Sequence, residues 1–178
     1  MNDIPVSSKQ IRNLALIGFI PLALAVAVIF WAPPKAGQTA SDAWLAAAIV
    51  GVIAIGLFGL IAVTAMRHSI DVTPAALVIR HSMYTLVMER SAVKSATVRE
   101  IKSLDQLGLS TKKNGVAAFG YFSGWFRGTR GELTFCALST WPAYLVTIEG
   151  DAKCRRIALS ASPELARSIE AWASQAPA

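Results

Sequence analysis

Between Asn114 and Gly131 the chain reads NGVAAFGYFSGWFRGTRG. Gly115, Gly120, Gly124, Gly128 and Gly131 punctuate a run of aromatics, with Lys112 and Lys113 just before it and Arg127 and Arg130 near its end. Cations set around glycine-rich backbone are the groups that hold an anion, because N–H donors and ammonium or guanidinium groups all converge on phosphate or carboxylate oxygens. One reading therefore makes Lys112, Lys113, Arg127 and Arg130 a contact for an anionic lipid headgroup or for a protein partner. The other reading is structural: the glycines permit positive φ and a sharply bent edge strand, with Tyr121, Trp125 and Phe126 packed partly inward. The run is not a phosphate loop, since no GxxxxGK[ST] sequence occurs and no strand leads directly into a helix there.

Other chemistry-bearing residues are sparse. His68 and His81 are the only histidines, and no HExxH, GxSxG or paired-carboxylate spacing accompanies them. His68 beside Arg67 reads as an interfacial anchor. A membrane enzyme would need His81 to gather two or more carboxylates in one pocket. The expectation is a non-enzymatic protein with no catalytic, cofactor-binding or metal-binding residues. Cys136 and Cys154, with neither CxxC spacing nor a nearby His pair, read as buried free thiols. No stacked aromatic-and-basic motif of a nucleic-acid binder is present.

The elements that must position these residues fall into two unlike parts. The mean hydropathy of +0.48 averages an oily first third with a polar remainder. Ala43 to Met66 carries no charged residue before Arg67-His68; as a helix it measures roughly 36 Å, more than the roughly 30 Å of hydrocarbon in a bilayer. Leu14 to Trp31 is a second uncharged run, interrupted by Pro21, which removes one backbone donor. A signal peptide is the alternative for this first run, but it exceeds a usual h-region and lacks a small-x-small cleavage site, so retention is expected. Ala32 to Asp42 is Pro/Gly/Ser/Thr turn chemistry, too short for anything but a hairpin. Lys9, Arg12, Arg67 and Arg80 flank the hairpin against Lys35 alone in the loop, which places both termini in the cytoplasm. Trp31 and Trp44 flank the loop as an interface belt would. Ala47, Gly51 and Gly59 on one stripe, with Gly56 on a neighbouring one, allow close helix approach, either between the two helices, which is the reading preferred, or in self-association.

After Arg67 short β-branched runs alternate with turns. Ser69 to Val72, Ala76 to Arg80, Thr85 to Arg90 and Ser95 to Ile101 predict a meander of strands. Ser103 to Gly115 predicts a polar connection ending in a Lys-Lys-Asn-Gly turn. Glu132 to Leu138, Ala143 to Glu149 and Arg155 to Leu159 predict three more strands, the last two joined at Gly150-Asp151. Ser162 as N-cap, Pro163 at the first helical position and Glu164 in the first turn open a final helix whose Leu165, Ile169 and Trp172 share a face. Of the 17 Lys/Arg only Lys9, Arg12 and Lys35 precede this part, and of the 11 Asp/Glu only Asp3 and Asp42 do. It therefore holds most of the net charge of +6.

Taken together, the two apolar spans, the β-meander, Asn114-Gly115, Gly120-Tyr121-Phe122-Ser123-Gly124-Trp125-Phe126, Leu138-Ser139-Thr140, Ile157-Ala158-Leu159-Ser160 and the Ser-Pro-Glu helix start resemble the bacterial pleckstrin-homology-like (PH-like) domain family over roughly 67–173. The sequence departs from that pattern at Phe119, where relatives often carry Pro, and at Thr140, where they often carry Asp. The resemblance implies a bent antiparallel β-sheet, half barrel and half sandwich, capped by a C-terminal α-helix. The expected organisation is then a cytoplasmic N-terminal segment (1–13), a transmembrane two-helix hairpin (14–66, helices about 14–31 and 43–66) and a cytoplasmic PH-like domain (67–178), integral to the bacterial inner membrane. The expected function is membrane-anchored binding of an unknown protein partner, or else sensing of anionic lipid headgroups through the basic loop patch.

Overall fold

The computed structural model describes residues 2–4, 6–31, 40–65 and 67–174. Ser7 starts helix α1 (Ser8–Trp31). Its hydroxyl accepts from the Gln10 N–H at 3.2 Å while Gln10 Oε1 accepts from the Ser7 N–H at 3.4 Å, a reciprocal cap that satisfies two otherwise orphaned donors. Helix α2 (Ala40–Ala65) packs against α1. Both are apolar around their circumference, and Leu16, Ile20, Leu24, Val28, Ile49 and Val52 stand exposed.

This helical pair corrects the sequence reading. Among the described residues no helix is long and apolar enough to cross a membrane, so the transmembrane hairpin, the inner-membrane location and the cytoplasmic placement of both termini are not supported. The helices begin earlier than the apolar runs do: α1 takes Lys9, Gln10, Arg12 and Asn13 into its first turns and α2 opens on Ser41 and Asp42, so each rod has a polar end. Nor do Gly51, Gly56 and Gly59 closely approach another of the described residues. A Cβ at Gly51, Gly56 or Gly59 would meet nothing within 4 Å among the described residues. Of the expected loop at 32–42, residues 32–39 lie outside the described residues, and 40–42 are instead the first residues of α2.

The remainder is a sandwich of two sheets. Strands β1 (Asn2–Asp3), β2 (His68–Val72), β3 (Ala76–His81) and β4 (Tyr84–Glu89) form an antiparallel sheet in that order. The chain's first residues thus join the β-domain: Asn2 pairs with Ile70, the Ile4 N–H donates to His68 O at 3.0 Å, and Ile4 is buried. Strands β5 (Val93–Ile101), β6 (Leu109–Ala118), β7 (Tyr121–Gly128), β8 (Leu133–Leu138), β9 (Ala143–Gly150) and β10 (Arg156–Ser160) form the second sheet, ordered β5-β9-β10-β8-β7-β6.

Two features differ from the expected bent antiparallel sheet or barrel. The sheets stay open rather than closing into a barrel, and β10 pairs parallel with β8 while antiparallel with β9. The cause lies in β8. Its run Leu133-Thr-Phe-Cys-Ala-Leu138 is apolar on both faces, as a strand buried on both sides reads, so it must sit inside the sheet with a neighbour on each edge. The equally buried β10 takes one of those places.

Alternation along β8 then divides the interior. Phe135 and Ala137 face Ile70, Leu77 and Ile79 of the first sheet, with Val146, Ile157 and Leu159 beside them. Cys136 and Leu138 face the opposite way, against Phe126, Leu145 and Ile101, where a 3-10 turn at Leu104–Leu107 covers them. Ser162 caps helix α3 (Pro163–Ser174), accepting from the Leu165 N–H at 3.2 Å. Leu165, Ile169 and Trp172 of α3 enter the core between the sheets; full burial of each is worth about 1.5–3 kcal/mol. Arg90, itself buried, donates to Ala173 O at 3.0 Å and to Val93 O, and its guanidinium carbon lies 5.7 Å from the Trp172 ring centroid. It pins the C-terminal end of α3 to the β4–β5 corner.

Candidate functional site

Of the stretch expected to be a polar connection (Ser103 to Gly115), Leu104–Leu107 forms a 3-10 turn and the part from Leu109 onward belongs to strand β6; the reversal comes five residues beyond the expected Asn-Gly turn, at Phe119-Gly120. Tertiary pairing explains the difference. Asn-Gly is a strong turn signal in isolation, but Gly115 lies opposite Gly124, where a Cβ on Gly124 would fall 2.5 Å from Asn114 O and 3.0 Å from the Tyr84 ring. Tyr84 covers this glycine pair and donates its hydroxyl to Asn114 Oδ1 at 3.0 Å. Asn114 and Gly115 are thus used for close strand approach, and Gly124, at φ +109°, takes a conformation that L side chains avoid. Tyr121 and Phe126 are buried and Trp125 half-buried, in keeping with the structural reading of the stretch.

The four basic residues occupy neighbouring but unlike positions. Lys112 and Lys113 are exposed on β6, Arg127 is exposed on β7, and Arg130 lies in the exposed β7–β8 turn. Lys112 pairs with Phe126 and Thr111 with Arg127. Cross-strand partners share a face and successive residues alternate, so Lys112 and Arg127 stand on opposite sides of the sheet. A register shift between Lys112 and Asn114 makes Lys113 the extra residue of a bulge. Among the described residues none of the four forms an ion pair. Glu132, next to Arg130, binds Arg156, and its carboxyl is held below the usual range by its own backbone N–H and by Arg156 and the Arg130 N–H.

A second locus, which the sequence reading passed over, lies where the β6–β7 turn meets the β8–β9 loop. Leu104, Gly120, Leu138, Ser139, Thr140, Trp141 and Ala143 line a small, shallow cleft. Phe119 and Trp141 flank it, 63% and 52% exposed. The loop is held firmly: buried Ser160 Oγ accepts from the Ser139 N–H at 2.9 Å and the Thr140 N–H at 3.0 Å and donates to Thr140 O at 2.6 Å. Gln10 of α1 donates to Ser139 O, so the helical pair begins beside this rim. Phe119 has φ +49° and Gly120 φ +78°, the signature of a two-residue type I′ hairpin. For a bulky residue that conformation is an outlier costing roughly 1–2 kcal/mol, and Phe119, largely exposed, recovers little of it by burial. The signal in sequence was the Phe-Gly pair itself, noticed only as a departure from the resembled family.

A third cluster brings the two histidines together, which their spacing did not suggest. His68 Nε2 lies 2.9 Å from Tyr121 Oη, the His68 and His81 rings meet edge to face at 4.6 Å, and His81 stacks on Tyr121 at 4.9 Å. Strand register causes this: His68 pairs directly with His81, and Ser123 of β7 donates to His81 O at 2.8 Å. His68 is therefore buried rather than an exposed anchor. His81 is sealed from solvent and neither ring nitrogen finds a partner among the described residues; burial, and then the proximity of His68, hold its pKa well below the ordinary value. Burial likewise pushes the Tyr121 phenol up, against the opposing hydrogen bonds of Ser82 and Ser123. The rings around His81 are His68 and Tyr121, not the carboxylate pair that acid–base catalysis would call for.

Cys136 and Cys154 are free and buried, and burial raises both thiol pKa values. Such thiols are poor nucleophiles. Among the described residues no group of three or more His, Cys, Asp or Glu is placed to hold a metal. Comparison of the chain with protein-family models, with curated proteins and with solved structures finds no match in any of the three.

Proposed function

We propose that the β-domain is a non-enzymatic, PH-like binding module that holds a protein partner at the loop rim formed by Phe119, Trp141 and the cleft between them. The observation that carries this reading is Phe119: a large aromatic kept at solvent, on a backbone conformation that penalises it, beside a second exposed aromatic on a tightly hydrogen-bonded loop. Strain without local return points to use elsewhere. Exposed aromatics on a rigid scaffold are the residue types that dominate protein–protein binding energy, because they bury much area at little entropic cost. What supports the PH-like part of this reading is the C-terminal helix α3 packed on the sheets, while the open sheets and the parallel β8–β10 pair depart from it. The separation of Lys112 from Arg127 across the sheet favours a partner over a single anionic headgroup.

Replacement of Phe119 by Asn tests this, since Asn suits the left-handed position. The Phe119→Asn chain should unfold at a higher temperature yet lose its partner. A photocrosslinking phenylalanine at position 119 in cells should give discrete protein adducts that disappear when Trp141→Ala is added. Adducts to lipid alone, or an adduct pattern unchanged by Trp141→Ala, would overturn the proposal.

A further inference from the structure

Strand β6 ends the six-stranded sheet, bonded to β7 on one side with no strand on the other among the described residues. Beyond the β7 ladder, its N–H and C=O groups enter no backbone hydrogen bond among the described residues. Ser110 to Asn114 are exposed, and Asn114 to Ala118 run in unbroken register with β7. An edge of this kind is a template for an added strand. We infer that β6 receives an extended, acidic segment of the protein partner as a seventh strand of the sheet. The inference rests on the partner-binding reading and adds to it the chemistry of the partner.

Charge and position select the occupant. The β6 sequence, Leu109 to Ala118, contains Lys112 and Lys113 and no carboxylate. Arg127 stands on the adjoining strand, and none of these three has an ion-pair partner among the described residues. A second copy of this chain would bring the same two lysines and no carboxylate to the edge, whereas a segment carrying Glu or Asp supplies the complementary sign. The small residues Gly115, Ala117 and Ala118 leave the regular half of the edge low in profile, so a partner backbone can approach closely. The bulges at Ser110 and Lys113 confine regular pairing to this half. The added strand would therefore pair along Asn114 to Ala118, reaching the hairpin tip at Phe119 at one end and setting acidic residues beside Lys112 and Lys113 at the other.

The test uses the full chain and three synthetic peptides of about ten residues, to match β6. One alternates Glu with Val, one alternates Lys with Val, and one is the acidic peptide with alternate backbone nitrogens methylated. The acidic peptide should bind saturably, weaken at least tenfold on K112E/K113E, and shift the amide resonances of Asn114 to Ala118. The methylated form, with its charge intact and its hydrogen bonds removed, should not bind. Equal binding of the methylated peptide would reduce the contact to bulk electrostatics and overturn strand addition, as would binding of the basic peptide or of phosphatidylglycerol vesicles at the same resonances. Crosslinking at position 119 reads the rim separately, so loss of the edge contact with that crosslink intact removes this inference and leaves the rim in place.

Discussion

Leu24 of α1 and Val52 of α2 are 63% and 71% exposed, while Phe135, Ile157 and Ile169 in the β-domain are fully sealed. The residue types are alike; the surroundings are not. Two helices packed side by side cover only one face of each other, and rods that are apolar all round keep the rest uncovered. Two stacked sheets cover each other's inner faces along their whole width, and here α3 and the Leu104–Leu107 turn cover further apolar surface. Burial in this chain thus follows from what each element meets more than from how oily it is, and the β-domain should carry almost all of the cooperative stability.

The sharpest way to break that comparison is a paired truncation. Phe135→Ala, which empties the centre of the sandwich, should cost about 3–5 kcal/mol, whereas Leu24→Ala should cost less than about 0.5 kcal/mol in denaturant unfolding followed by intrinsic fluorescence. Comparable losses would show that the two regions fold as one. Next in size is Gly124→Ala. Its Cβ would press on Asn114 O and Gly115 Cα and its φ of +109° disfavours any side chain, so a loss of about 2–3 kcal/mol is expected, seen as early exchange of β6 and β7 amides. Ser162→Ala removes the cap of α3 and should lower stability by about 1 kcal/mol, with α3 amides losing protection before those of β8.

The smallest change at neutral pH should follow His81→Leu, because an apolar group replaces a ring whose nitrogens lack partners. Its effect appears on acidification. His81 is held neutral in the fold, so the unfolded chain binds its proton first as pH falls through the ordinary histidine value of about 6.5. Stability is therefore whole above that pH and declines below it. Midpoint-against-pH curves for the parent should slope downward from about pH 6.5 toward acid; His81→Leu should flatten them, and an unchanged slope would exclude His81 as the titrating group.

Much of the β-domain was legible because its strands carry local evidence. Thr73-Pro74 marks a turn, Ser162-Pro163-Glu164 starts a helix, and Leu165, Ile169 and Trp172 recur at helical spacing; each lies where these residues predict. Strand β6 was not legible, because Lys112-Lys113-Asn114-Gly115 reads as a turn until Gly124 and Tyr84 are brought against it. The basic residues were legible as types and their separation was not, since one bulge decides which side each lysine faces. The rim was missed for a related reason: Phe119 and Trp141 lie far apart in the chain, and neither is notable without the other.

By itself the amino-acid order determined the helical and β-rich halves, the strand-forming runs and the cap of α3, because these depend on neighbours within a few residues. Which of the oily helices' residues stay uncovered, where β10 inserts, how His68 comes to face His81 and which loops form the rim were decided only by tertiary structure. Those outcomes depend on pairings between residues tens of positions apart, and a shift of one residue in register would reassign every face.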